Sequence, residues 1–206
     1  MESNQLISRA ALKRLPQYLR IIKGHDELEF ISSTFIAKEL NLNPILVRKD
    51  LALVCKSEGK PGNGFEVEKI IQEIEEFLGL NQINNAIIVG AGKLGQALLN
   101  YQGFSSNLNI EMAFDVDETK CDNKRIFKLE KMKSLIEKEN IKIGIITVPK
   151  EDAQSVCDKM IDAGIKAIWN FAPINLKVPD EISLKNEDLT ASALILLNDF
   201  NNKNRQ

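Results

Sequence analysis

Histidine is almost missing from this sequence: His25 is the only one in 206 residues. A histidine-based metal site is therefore not expected. Cysteine is sparse as well. Cys55, Cys121 and Cys157 are far apart, which gives neither a disulfide framework nor a metal-spaced pair, and no metal is expected. No window approaches the ~18 apolar residues of a membrane span. The opening Met1-Glu2-Ser3-Asn4-Gln5 lacks the charged-then-apolar pattern of a signal peptide, so a cytoplasmic protein is expected. Neither sign of charge is in large excess. A net charge of −2 argues against bulk, nonspecific nucleic-acid binding but leaves room for a local basic face. The chain is 44% hydrophobic, enough to form a core without staples, and its length suits one large or two small domains.

Against these absences stands one stretch rich in glycine. Ala86-Ile87-Ile88-Val89 is an apolar, β-branched run. It leads into Gly90-Ala91-Gly92-Lys93-Leu94-Gly95-Gln96-Ala97, and a helix-forming sequence follows. The spacing G-x-G-x-x-G fits a strand, a tight turn and a helix whose first amides face a pyrophosphate. Gly90 allows the turn, Gly92 leaves room for the phosphate, and Gly95 lets the helix pack closely on the strand. A second strand, Asn109 to Asp115, ends in a carboxylate, and Val116 opens the turn after it. This puts a carboxylate 20 residues after Gly95, where a ribose-binding Asp is expected. The alternative is an ordinary βα turn beside a surface Asp.

Before this unit the pattern is helical. Leu6 to Lys23 has apolar residues at helical spacing and basic residues between them, and Pro16 predicts a helix start at or near that position. A Ser/Thr cap in Ser32-Ser33-Thr34 then precedes a short helix, and Asn41-Leu42-Asn43 turns the chain. Pro44 suits the first position of a second helix ending near Val54. The two form a helix-turn-helix, with Arg48 and Lys49 projecting from its second helix. Gly59 to Val67 reads as a glycine-rich hairpin and strand, a wing. Candidate DNA contacts are Ser33, Arg48, Lys49, Lys60 and Asn63. From Leu6 to Lys60 basic residues outnumber acidic ones ten to six, which supports a basic face in an otherwise acidic protein. The alternative for Arg48 and Lys49 is a plain exposed helix face.

Val67 to Leu80 reads as a helix, and Asn81-Gln82-Ile83-Asn84-Asn85 as a boundary. After Asp115 the chain turns away, and Leu129 to Asn140 forms a Lys/Glu-rich helix. Ile141 to Pro149 is a third strand, Lys150 to Ala163 a helix, and Lys166 to Pro173 a fourth strand. Strands alternating with helices predict an α/β, doubly wound parallel sheet of Rossmann type behind an N-terminal winged helix-turn-helix. Glu187 to Asn198 is an apolar final helix, expected to bury its face on a partner subunit, and Asn201 to Gln206 is a polar tail. The expected divisions are residues 1–80, 81–184 and 185–206.

Taken together these pieces resemble the Rex family of redox-sensing transcriptional repressors over nearly the whole chain. The matching segments are Ser8-Arg9, Tyr18-Leu19-Arg20, Val47-Arg48-Lys49-Asp50-Leu51 and Gly62-x-Gly64-Phe65. They continue with Gly95 to Phe104, Phe114-Asp115-Val116-Asp117, Thr147-Val148-Pro149, Asn170-Phe171-Ala172-Pro173 and Glu187-Asp188-Leu189. The resemblance implies a homodimer with a swapped C-terminal helix. It implies binding to palindromic operator DNA when NAD⁺ dominates and release on NADH. It implies that Gly90, Gly92 and Gly95 carry the pyrophosphate and that Asp115 takes the adenosine ribose. Thr147, Val148, Pro149, Asn170, Phe171, Ala172 and Pro173 would then line the nicotinamide side. Arg20, Tyr101 and Asp188 match the polar triad that answers to the nicotinamide charge, and no catalytic residue is implied. Some positions depart from the family pattern. Ala52-Leu53-Val54-Cys55 replaces Ser-aromatic-Phe-Gly, Lys60-Pro61 stands in place of a wing Arg, Phe65 replaces Tyr, and Leu189 stands where an aromatic often packs. The competing readings are a small NAD-dependent dehydrogenase, a CoA-binding regulator, or a thiol switch at Cys55. The first lacks a Tyr-x-x-x-Lys and has its sole histidine in the helix-turn-helix, and Asp115 argues against the second.

Overall fold

The computed structural model describes residues 7–57, 59–60, 62–104 and 107–204. Leu6 and Pro61, which enter the readings above, lie outside the described residues, as do Arg205 and Gln206. The chain divides into two compact units, Met1–Gln82 and Ile83–Gln206.

The N-terminal unit runs α1 (Arg9–Lys23), β1 (Phe30–Ile31), α2 (Ser33–Glu39), α3 (Pro44–Val54), β2 (Phe65–Glu66) and α4 (Val67–Phe77). Side-chain caps start three of the helices. Ser8 Oγ accepts from Ala11 N–H, Ser32 Oγ from Phe35 N–H, and Asn43 Oδ1 from Ile45 N–H. Helix α1 does not begin at Pro16; the proline lies inside it. Its ring removes one helical hydrogen bond, and the carbonyl left over belongs to Leu12, an exposed residue that water reaches. Burial of Ala11, Leu15, Tyr18, Leu19 and Ile22 on both sides of Pro16 outweighs that loss. The wing closes where Lys60 N–H donates to Gly64 O and Gly64 N–H returns to Lys60 O. Gly64 has φ +89, and a Cβ there would fall 2.3 Å from Ile31 O, so only glycine fits. That close approach lets β2 pair antiparallel with β1.

The C-terminal unit runs β3 (Asn84–Val89), α5 (Lys93–Leu99), β4 (Leu108–Asp115), β5 (Ile126–Lys128), α6 (Met132–Glu139), β6 (Ile143–Ile146), α7 (Lys150–Asp162), β7 (Ala167–Asn170), β8 (Ser183–Asn186) and α8 (Leu189–Lys203). The six strands lie in the order β5-β4-β3-β6-β7-β8, every neighbouring pair parallel. The order reverses between β3 and β6, and open α/β sheets bind ligands at that switch point. Helices α6 and α7 cover one face over Ile87, Phe114, Ile146 and Ile168, and α5 covers Ala86, Ile88 and Ala113 on the other. Strands β5 and β8 are absent from the sequence reading. β8 also carries the sheet across the division expected at residue 184, through Asn186. Helix α8 extends to Lys203, into the segment read as a polar tail, and none of its residues is buried. Leu194, Ile195, Leu196 and Phe200 are each at least 60% exposed, an apolar surface without cover in the single chain.

A buried polar network ties α3 to α1. Asp50 receives Arg14 in a bidentate pair, Nε to Oδ2 at 2.7 Å and Nη2 to Oδ1 at 2.9 Å. The hydroxyl of Tyr18 donates to Oδ2 at 2.7 Å. Burial pushes the Asp50 carboxyl up, but the hydrogen bonds from Arg14 and Tyr18 and the Arg14 charge outweigh it and hold it below its ordinary range. Burial, then the hydrogen bond to Asp50, pushes Tyr18 up to about 12. Removing one member strands the others, so Asp50→Asn is expected to cost about 3 kcal/mol in urea unfolding. The Asp50 contribution is present above the ordinary carboxylate pKa of about 4 and is lost as pH falls through the lower folded value. The Tyr18 contribution is present below the ordinary pKa of about 10. It is lost as pH rises toward about 12. Unfolding followed from pH 3 to 12, wild type against Asp50→Asn and Tyr18→Phe, checks both limbs.

Candidate functional site

Strand β3 ends at Val89, and the chain reverses at Gly90 with φ +106, in the left-handed region that favours glycine. A Cβ on Gly90 would meet the Thr147 backbone at 2.8 Å, and one on Gly95 would fall 1.9 Å from Gly90 O. Gly92 differs: a Cβ there meets nothing within 4 Å and would point into open space. Gly92 begins α5 without a side-chain cap, so the first amides of the helix are left for a ligand. Thr147, just past β6, locks the turn, its Oγ1 donating to Gly90 O at 2.7 Å. Gln96 Nε2 adds a hydrogen bond to Ala91 O.

Around this turn lies a cleft of about 600 Å³ at the carboxyl ends of β3, β4 and β6, within the usual size for a small-molecule site. Of the residues expected to hold a cofactor, Gly90, Gly92, Asp115, Val116, Thr147, Val148 and Pro149 line it together. Gly95 and Ala91 are buried beneath it, and Lys93, Leu94, Gln96 and Ala97 lie on α5 outside its wall. Sequence reasoning missed Lys120 and Leu129, and it missed Asp152, Ser155 and Lys159, which recur at helical spacing along α7 and line the cleft. That spacing on a charged helix reads equally as a solvated face.

Asp115, which lines the cleft, also has partners within the turn. Its carboxylate is 7% exposed. Oδ2 accepts from Ala91 N–H at 2.7 Å, Oδ1 from Asp117 N–H at 2.8 Å, and the Lys120 ammonium lies 3.2 Å away. Asp115 therefore shapes the turn, and Ala91 N–H is already used. Asn170 is fully buried and makes hydrogen bonds to Ala172, Ile174 and Asn186, which build the turn after β7. Ala172 and Pro173 border a separate depression of about 180 Å³ that Asp188 also lines. Phe171 packs on Trp169, centroids 4.8 Å apart. Asp188 caps α8, its Oδ1 accepting from Ala191 N–H, and Tyr101 is 58% exposed after α5. Arg20 belongs to the N-terminal unit, on the exposed side of α1.

Within the N-terminal unit, Ser33, Arg48 and Lys60 line one concavity of about 700 Å³ between α2, α3 and the wing. Lys60 Nζ sits 4.8 Å from the centre of the Phe30 ring, a cation–π contact that holds it on the rim. Lys49 and Asn63 are exposed but outside that concavity. Burial, then the negative charge of Glu73, pushes the Cys55 thiol up to about 12. It stays protonated at neutral pH, which counts against a thiol switch there. Among the described residues there is no metal-binding cluster of His, Cys, Asp or Glu, and no helix long and apolar enough to cross a membrane.

Comparison with known proteins follows the division seen in the structure. Residues 6–52 match a family described as a putative DNA-binding protein N-terminus, and residues 81–174 match a CoA binding domain. The chain is 40% identical to the redox-sensing transcriptional repressor Rex of Treponema denticola, over 95% of this chain and 96% of that one. It is 39% identical to Rex of Bacteroides thetaiotaomicron, over 92% and 89%. A crystal structure of RSP in complex with β-NAD⁺ and operator DNA superposes with a TM-score of 0.90 at 34% identity, covering 97% of this chain and 95% of that one. A crystal structure of RSP in complex with β-NADH superposes at 0.84 and 33%, covering 97% of each. With this identity carried along both units, the chain belongs to the Rex family of redox-sensing transcriptional repressors.

Proposed function

We propose that this protein is a redox-sensing repressor, not an enzyme. As a homodimer it binds palindromic operator DNA, and NADH at the glycine cleft releases it. The observation that carries this reading is that one chain holds both a dinucleotide cleft and a nucleic-acid face. It acts in the cytoplasm, beside the DNA it reads. NAD(H) lies with its pyrophosphate over Gly92 and the first amides of α5, and its adenosine half runs toward Val116 and Lys120. The nicotinamide half runs past Thr147, Val148 and Pro149. Ser33, Arg48, Lys49, Lys60 and Asn63 contact the operator, and α8 is covered by the second subunit.

The redox state is read as charge. Oxidised nicotinamide is a cation and reduced nicotinamide is neutral. A carboxylate beside the ring can therefore change partners when the cation disappears. Asp188 supplies that carboxylate, and Arg20 and Tyr101 are its two partners. A second reading, a CoA-binding regulator, draws on the domain match over residues 81–174. Competition between CoA and NADH for the cleft separates the two.

Three experiments test the proposal. In a gel-shift titration of operator DNA, NADH is expected to release the protein while NAD⁺ leaves it bound; equal effects of the two would overturn the sensor reading. Arg48→Ala with Lys49→Ala is expected to weaken operator binding on the order of a hundredfold and to flatten its salt dependence. Gly92→Ala is expected to leave thermal stability unchanged, since its Cβ has nothing to collide with, yet to abolish measurable NADH binding. Gly95→Ala, in contrast, is expected to cost about 2 kcal/mol or more of stability through overpacking.

A further inference from the structure

Tyr101 comes just after Asn100, the residue that ends α5, and its backbone is well held. Its N–H donates to Leu98 O at 3.1 Å. Arg125 fixes the two residues before it, Nη2 donating to Leu99 O at 3.0 Å and Nη1 to Asn100 Oδ1 at 3.4 Å. The side chain is another matter. At 58% exposure it has room to change rotamer unless something beneath it selects one.

Two neighbours make that selection. Phe104 meets the Tyr101 ring edge-on, centroids 4.7 Å apart, and is itself set against Trp169 of β7 at 5.7 Å. The other neighbour is Gly103. A Cβ on Gly103 would lie 2.4 Å from Cε1 and Cζ of Tyr101 and 2.5 Å from its hydroxyl oxygen. The ring therefore occupies the space that any side chain at position 103 would need. Gly103 does not have a positive φ, so backbone freedom does not explain the glycine. The close approach of the ring does.

We infer that Gly103 is a positioning residue for the redox answer: it is the seat that sets where the Tyr101 hydroxyl stands. This rests on the reading of Tyr101 as a partner of Asp188. The geometry makes Gly103→Ala a selective probe. The new methyl collides with the outer end of a mobile side chain, not with backbone, so the ring yields and the fold stays.

The test compares wild type, Gly103→Ala, Tyr101→Ala and the double variant, each as the full chain. For each, NADH affinity is read by energy transfer from Trp169, the only tryptophan, and operator affinity is read with and without NADH. In Gly103→Ala, NADH affinity and nucleotide-free operator affinity are expected to hold within about twofold, while the weakening of operator binding by NADH shrinks about tenfold. The ring protons of Tyr101, one of two tyrosines, are expected to lose the ring-current shift from Phe104. Added to Tyr101→Ala, the Gly103 change is expected to do nothing further, because both act through one side chain. Full coupling in Gly103→Ala, beside lost coupling in Tyr101→Ala, overturns the proposal alone. Full coupling in Tyr101→Ala overturns the reading of Tyr101 and the proposal with it. A further loss in the double variant would assign the effect to the backbone and also overturn the proposal.

Discussion

Backbone packed directly on backbone is the constraint on which the C-terminal unit depends. Gly95 of α5 comes so close to the glycine turn that a Cβ would fall 1.9 Å from Gly90 O. The same carbonyl accepts from Thr147 Oγ1 at 2.7 Å. One oxygen atom therefore joins the end of β3, the start of α5 and the residue after β6. These are the elements that flank the topological switch point, so this contact sets both the width of the cleft and the aim of the α5 amides. Gly92 lies between those two glycines in sequence and has open space above it.

The other side of the turn is held by charge. Asp115 takes Ala91 N–H and Asp117 N–H and is countered by Lys120. A buried carboxylate without such partners would be costly, and here each oxygen receives a donor. The consequence is that the end of β4 presents a shared charge to the cleft instead of a bare carboxylate. Lys120, itself bonded to both oxygens of Asp115, lines the cleft where the ribose was expected to meet Asp115 alone.

How far the sequence could be read follows from the kind of signal each feature leaves. Gly90 and Gly95 were legible because each is demanded by a separate steric fact of the turn, and steric demands on a backbone show as residue type; Gly92 was legible only by its place in the same spacing. The Asn43-Pro44 start of α3 was legible for the same reason. Pro16 marks a helix start by local propensity alone, while the burial that overrules it depends on α4 and α3, which are distant in sequence. Strand β5 has only three residues and β8 only four. Neither carries enough apolar alternation to stand out, and both gain their hydrogen bonds from the sheet they join. Asp152, Ser155 and Lys159 were hidden because a helix face that lines a polar cleft has the composition of one that faces water. Asp50 stood in a matched segment, but that it is buried with Arg14 and Tyr18 is a tertiary fact. Gly103 was equally silent, since its partner is a side chain and not a turn.

The buried network behind α3 also constrains how release can work. Arg14, Tyr18 and Asp50 fix the recognition helix against α1 through three hydrogen bonds with little exposure. A helix held that way has no cheap alternative position within its own unit, because breaking one member leaves a buried charge unpaired. A ligand can shift an equilibrium only by binding two states differently. The two states must then differ elsewhere than in the packing of α3 on α1. Tyr101 and Arg20 are exposed, and Asp188 stands at the start of a helix whose apolar residues have no cover in one chain. The parts fixed by direct hydrogen bonds are the seat of the recognition helix and the glycine turn.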